Sequence, residues 1–158
     1  MEKHQARIVF AAILLLSLIF PLHLVEAASS ITVTPKTLNM GTVGLNNFEN
    51  KYIEKTRANI VIATDTVYPW KVMVKTTNND MGVVGSYAKP ISDFRWRATG
   101  NYATQISYTS ITNYDIEAAR GSKGSSYIIY IDVQMLLSWA KDAPGKYDII
   151  LTYTLTTQ

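Results

Sequence analysis

The sequence predicts an all-β protein, an antiparallel immunoglobulin-like β-sandwich of seven to nine strands that follows a cleaved signal peptide. Three observations support this prediction. Short stretches of alternating apolar and polar residues recur along the chain, residues that favour turns separate them, and residues 1–27 have the layout of a secretory signal. Helical patterns are weak, since they cover only residues 114–120 and 134–140, each about two turns long.

The N-terminal segment has the three parts of a signal peptide. Lys3 and Arg7 make its start positive, residues 8–20 are apolar apart from one serine, and small residues surround Ala27. The alternative is an uncleaved membrane anchor, but a spanning helix needs about 20 apolar residues, more than this run offers. We expect cleavage after Ala27 or the alanine that follows, which leaves residues 28–158 as one β-sandwich domain.

The first half of the mature chain contains three strand patterns. Ile31 and Val33 alternate with threonines until Pro35, which has no N–H group to donate to a ladder. Residues 58–64 are a compact β-branched run. The clearest alternation puts three residues on one face, which we assign to the core: Trp70, Val72 and Val74.

The second half continues the same alternation. Arg95 and Arg97 alternate with residues that we assign to the core, Phe94 and Trp96. Residues 104–112 form a strand candidate rich in threonine and serine. The segment 119–126 is basic and rich in glycine and serine, which indicates an exposed hairpin tip. In the long strand that follows, Ile129 and Ile131 are assigned to the core, opposite Tyr130.

The last strand pattern, residues 147–156, reaches almost to the end of the sequence. It follows a predicted tight turn, Asp142-Ala143-Pro144-Gly145. Its apolar face assigns three more residues to the core: Ile149, Leu151 and Tyr153. Because chain ends are loose unless a sheet holds them, we expect this strand to lie between neighbours or to form an edge that a partner could use.

The inventory of side chains argues against catalysis. Both histidines lie within residues 1–27, and the chain has no cysteine. A mature chain of this kind has no Ser-His-Asp or Cys-His arrangement, no His/Cys zinc site and no disulfide. Its carboxylates are scattered singly, whereas a glycosidase needs a pair. We therefore expect no enzyme and no cofactor or metal; Asn78-Asn79-Asp80 could bind calcium, but a polar hairpin loop is the simpler interpretation.

A few side chains are candidates for binding. The net charge is only +3 and no Lys/Arg run is present, so we expect no nucleic-acid partner. Arg95 and Arg97 could grip an anionic polymer or simply keep one sheet face polar. Trp139 precedes a predicted turn and could be exposed, and Tyr130 belongs to a set of tyrosines numerous enough for an adhesive face.

Two longer patterns resemble known families. ITVTPKTLNMGTV (31–43) resembles the opening of immunoglobulin-like bacterial surface domains. PWKVMV and APGKYDIILTYTLT together are similar to the WxL domain of Gram-positive surface proteins, which has a tryptophan–x–leucine strand near its middle and another in its last strand. Trp70-Lys71-Val72 and Tyr153-Thr154-Leu155 stand at those positions, with valine for leucine and tyrosine for tryptophan. The terminal phrase also resembles the closing strand of spore coat U and related pilin-like secreted domains.

These resemblances imply two noncatalytic functions. The WxL resemblance implies a cell-surface module that binds the cell wall or other surface proteins noncovalently, with peptidoglycan as the ligand. The pilin-like resemblance implies a structural subunit of a filament or coat, in which a strand of one copy completes the sandwich of another. We take the first as the main hypothesis and the second as the alternative. Both imply a secreted, envelope-associated protein without a membrane span in the mature chain, and the second adds a homo-oligomer.

Overall fold

A computed structural model describes residues 29–65, 67–142 and 147–157. The predicted signal peptide and residues 143–145 of the predicted turn lie outside these residues. The described residues contain ten strands, one α-helix and one 3-10 turn. In this part of the chain we find no helix that is long and apolar enough to cross a membrane.

The elements follow one another along the chain with short connections. The strands are β1 (Ser30–Thr34), β2 (Tyr52–Asp65), β3 (Trp70–Thr76), β4 (Asp80–Val84), β5 (Tyr87–Pro90), β6 (Phe94–Thr99), β7 (Thr109–Ser110), β8 (Ile116–Gly121), β9 (Gly124–Leu136) and β10 (Leu151–Thr157). The helix is α1 (Leu45–Asn50), and the 3-10 turn is Ile91–Asp93.

The strands form two main antiparallel sheets. One has the order β1, β2, β9, β6, β7, and the other has the order β10, β3, β8. Strands β4 and β5 form a separate hairpin. The predicted all-β, antiparallel sandwich is therefore confirmed. The strand number exceeds the predicted seven to nine, since the short hairpin and the two-residue β7 carry too little alternation to be recognised in the sequence.

The core lies between the two main sheets and consists of their alternate side chains. The residues that the sequence assigns to the core in β3, β6 and β9 are all buried: Trp70, Val72, Val74, Phe94, Trp96, Ile129 and Ile131. Strand β8 comes close to this core at Gly121, where a Cβ atom would overlap the ring of Trp70. The core at this point therefore accepts only glycine without rearrangement.

Several connections differ from the sequence-based prediction. The segment 119–126 is not a hairpin tip, because β8 pairs with β3 whereas β9 pairs with β2 and β6. It carries the chain from one sheet to the other. Of the strand candidate 104–112, only Thr109–Ser110 is a strand. The weak helical patterns were wrong as well: residues 114–120 fall largely in β8, and 134–140 begin at the end of β9.

The helix that does form could not be recognised from periodicity. None of the residues of α1 is buried, so it has no apolar stripe of the kind that reveals an amphipathic helix. Its first turn is closed by Asn47, whose Oδ1 accepts a hydrogen bond from the Gly44 N–H at 2.9 Å.

The last strand is shorter than predicted, and its apolar face is less buried. β10 begins at Leu151, because the backbone before it bonds elsewhere: the Asp148 N–H donates to the Met81 carbonyl, and the Ile150 N–H donates to Asn78 Oδ1. Ile149, Leu151 and Tyr153 were assigned to the core, but they are half-buried and pack against its side. The physical reason is that β10 is an edge strand, with β3 on one side only.

Candidate functional site

The sandwich is open along one side, where an edge strand of each main sheet lines a groove. β1 is the edge of the five-stranded sheet and β10 is the edge of the three-stranded sheet. The groove has a volume of about 710 Å³. Its lining includes Val33 of β1 and Leu151 and Tyr153 of β10.

Apolar side chains from several elements form the lining of this groove. Met81, Phe94 and Met135 belong to the buried core, so the floor of the groove is the core itself. Leu38 and Met40 line it as well, from the stretch between β1 and α1 that belongs to no strand. The sequence analysis missed these two residues, although their spacing of two in "LNM" was a weak signal.

A polar bridge spans the groove between its two edges. The Tyr153 hydroxyl on β10 donates to Asn59 Oδ1 on β2 at 3.0 Å, and Asn59 Nδ2 donates to the Pro35 carbonyl at 2.8 Å. Burial raises the pKa of the Tyr153 phenol above its ordinary value. These bonds satisfy the polar atoms of Asn59, which is itself buried.

Replacing Tyr153 with phenylalanine tests this bridge. The free energy of unfolding at neutral pH should fall by about 1 kcal/mol, the usual net value of one hydrogen bond. A folded-state pKa above the unfolded value of about 10 means that Tyr153 stabilises below that pH and loses its contribution as the pH rises. The unfolding midpoints in urea of the two proteins should therefore converge in alkali. Parallel pH curves would contradict this account.

Arg97, one of the predicted binding residues, has its partners within the protein. Its Nε donates to Asp132 Oδ2 at 3.0 Å, and its guanidinium carbon lies 4.6 Å from the centre of the Tyr108 ring. The hydrogen bond to Asp132 raises the pKa of Arg97. Burial and the hydrogen bond that Tyr108 donates to Glu54 raise the pKa of Tyr108. The arrangement keeps Arg97 in one orientation on the outer face of the sheet.

The same buried carboxylate ties Tyr130 into this network. Asp132 Oδ1 accepts a bond of 2.7 Å from the backbone N–H of Arg57. Arg57 has a positive φ of 49° at the β2 bulge, and its guanidinium carbon lies 4.6 Å from the centre of the Tyr130 ring. Asp132 is buried although the alternation places it on the polar face, and its role was missed because its partners come from β2 and β6. Arg95 lies on the same face, half-buried.

The other sequence candidates lie apart from the groove. Trp139 is 63% exposed, and its ring stacks on Phe48 of α1 with the ring centres 4.2 Å apart. The loop with Asn78 and Asp80 has internal partners: Asn78 Oδ1 accepts from Thr76 and Ile150, and Asp80 Oδ1 accepts from the Gly82 N–H. Within the described residues no group of three or more acidic, histidine or cysteine side chains could hold a metal. Whether Trp139, Arg95, Arg97 and Tyr130 bind a ligand stays a prediction.

Comparisons with known proteins bear on the fold. No protein-family model matches the sequence, and no curated protein matches it. A subunit chain in the structure of a chaperone–usher pilus, described as revealing the molecular basis of rod uncoiling, is similar with a TM-score of 0.52. The two sequences are 11% identical, over 88% of this chain and 93% of the pilus chain. The P pilus rod subunit PapA is similar with a TM-score of 0.44 and 12% identity, over 81% of this chain and 99% of PapA.

The first of these similarities covers nearly the whole of both chains, so it concerns the arrangement of the sandwich rather than one local motif. At 11% identity it shows the fold alone. The chain has an immunoglobulin-like fold similar to that of a chaperone–usher pilus subunit.

Proposed function

We propose that this protein is a noncatalytic structural subunit of an extracellular filament or coat, and that a β-strand from a neighbouring copy fills the groove between β1 and β10. The observation that carries the proposal is the groove itself, which opens onto the core between two edge strands. The fold similarity to a chaperone–usher pilus subunit supports it. Between the two hypotheses drawn from the sequence, this favours the filament over binding to the cell wall.

The physical argument rests on what an edge strand leaves unsatisfied. An exposed edge presents backbone N–H and C=O groups that an added strand can pair with. The alternate side chains of such a strand would point into the groove, whose floor includes Phe94 and Met135. Main-chain hydrogen bonds then supply affinity, and the apolar floor selects the side chains. An interface of this kind needs no cofactor and no catalytic residue.

The assembly experiment uses the mature protein, residues 28–158. Light scattering coupled to size-exclusion chromatography, followed by electron microscopy, should show linear assemblies that grow with concentration. Leu151→Lys puts a charge against the groove floor and should weaken assembly by about tenfold or more, since tenfold corresponds to only about 1.4 kcal/mol. Circular dichroism establishes whether this variant folds.

Thr154→Lys is the matched control, because Thr154 is exposed and lies on the same strand. It should assemble like the unchanged protein. A mature protein that stays monomeric at high concentration contradicts the proposal, and one that also sediments with washed cell walls at low salt would favour the wall-binding hypothesis instead. Equal effects of the two lysine substitutions would show that the groove floor is not the contact.

A further inference from the structure

A buried lysine lies between two carboxylates at the end of the β4–β5 hairpin. The Lys89 side chain is 1% exposed, and its Nζ lies 2.7 Å from Asp142 Oδ1 and 3.2 Å from Asp93 Oδ2. The Asp142 side chain is 2% exposed, whereas that of Asp93 is 28% exposed. Among the ion pairs of the described ranges, Lys89–Asp142 is the pair in which both side chains are buried.

The Asp142 carboxyl is held rigidly by a second bond. Its Oδ2 accepts a hydrogen bond of 2.7 Å from the backbone N–H of Ser138. The two oxygens of this carboxyl thus have different partners, an amine at Oδ1 and a peptide N–H at Oδ2. The surroundings are largely apolar, since Asp142 lines a groove together with Leu137 and Phe48, and the centre of the Tyr147 ring lies 5.7 Å from Lys89 Nζ.

We propose that Lys89 and Asp142 condense to an intramolecular amide, an isopeptide bond, with Asp93 as the group that carries the proton. Three conditions for this reaction are met. The nucleophile and the electrophile are in contact, which makes the step effectively unimolecular. Burial removes the water that favours the charged amine and carboxylate over their neutral forms. A second carboxylate contacts the amine, where it can act as general base and then as general acid.

The atoms of the reaction balance without any co-reactant. The Lys89 ammonium gives one proton to Asp93, and the neutral amine attacks Cγ of Asp142. The negative charge that develops on Oδ2 faces the Ser138 N–H, as in an oxyanion hole. Asp93 passes its proton to Oδ1, a second proton follows from the nitrogen, and Oδ1 leaves as water. The products are an amide, one water molecule and the regenerated Asp93 carboxylate.

The bond would connect two parts of the molecule that are distant in sequence. Lys89 belongs to β5, and Asp142 ends the turn that begins at Ser138, where the Asp142 N–H donates to the Ser138 carbonyl. The link would fasten the chain that leads to β10 onto the β4–β5 hairpin. In a chain without cysteine it would supply the covalent cross-link that secreted proteins usually obtain from disulfides. The inference does not depend on the proposed assembly.

Peptide mapping by mass spectrometry tests the bond on the secreted full-length product. Trypsin does not cut at Lys89, because Pro90 follows it, so the two reacting residues fall in the fragments 76–95 and 142–146. We expect one species whose mass is the sum of both fragments minus one water, and whose fragmentation places the branch at Lys89. Recovery of the two fragments as separate peptides from the folded protein overturns the proposal.

Two further measurements separate the proposed chemistry from simple proximity. Asp93→Asn keeps the Lys89–Asp142 contact but removes the proton carrier, so the joined species should be lost or fall at least about tenfold. Undiminished joining in this variant overturns the role of Asp93. The exposed pair Lys75–Asp115, with Nζ and Oδ2 3.3 Å apart, is the internal control in the same digest. It should stay unjoined, and joining there would mean that sample handling makes such bonds, which overturns the proposal.

Discussion

Replacing Trp70 with alanine is expected to lower the free energy of unfolding by about 3–5 kcal/mol, the usual cost of deleting a buried aromatic side chain. The ring is 1% exposed, and its centre lies 5.2 Å from that of Tyr127 and 6.3 Å from that of Tyr102. Gly121 lies directly against it. Since a domain of this size holds only about 5–15 kcal/mol in total, the loss should appear as a large drop in the urea midpoint.

Lys71→Ala is the control for this measurement. Lys71 is the next residue on β3 and points to the other face, where its Nζ lies 4.0 Å from Glu117 with both side chains partly exposed. Surface ion pairs of this kind contribute about 0–1 kcal/mol, so the change should be small. Equal unfolding midpoints for the Trp70 and Lys71 variants would contradict the observed register of β3.

The second large effect is expected from Lys89→Met. Removing the buried ammonium leaves the Asp142 carboxylate without its partner at 2% exposure, and breaking a buried pair from one side costs about 3–5 kcal/mol. Chemical unfolding followed by tryptophan fluorescence measures the loss. The substitution also removes the nucleophile of the proposed isopeptide bond, so the digest of this variant should contain no joined species.

The double variant Lys89→Met/Asp142→Asn distinguishes the lost ion pair from lost packing. The asparagine amide has no charge to bury and still offers an oxygen to the Ser138 N–H. We expect it to recover most of the stability that Lys89→Met loses. A double variant no more stable than Lys89→Met alone would show that the methionine packs badly and that the charge is not the cause.

The alternation of side chains was enough to predict the sandwich, because a strand with one face in a core must repeat every two residues. The sequence assigned Trp70, Val72 and Val74 to one face of β3, and all three are buried. The groove was harder to foresee. Leu38 and Met40 line it from a segment without regular structure, so no period marks them. The same holds for Tyr153, which alternation places in the core and its edge position places at the groove.

The buried polar groups were out of reach of sequence reasoning. Lys89 lies next to a proline in a short strand, where a lysine is ordinarily exposed, and its partner Asp142 is far along the chain. Asp132 alternates onto the polar face, but Arg57 and Arg97 from the two neighbouring strands enclose it. Only the packing of distant segments creates these sites.

The sequence by itself determined the class of fold and the facing of the main strands, since both follow from a local period of two along each strand. It also limited the chemistry, because the residues beyond position 27 include neither histidine nor cysteine. The tertiary structure alone decided which strands became edges, where the core opens into a groove, and which charged groups meet inside. These depend on contacts between segments far apart in the chain, and a pattern of near neighbours carries no information about them.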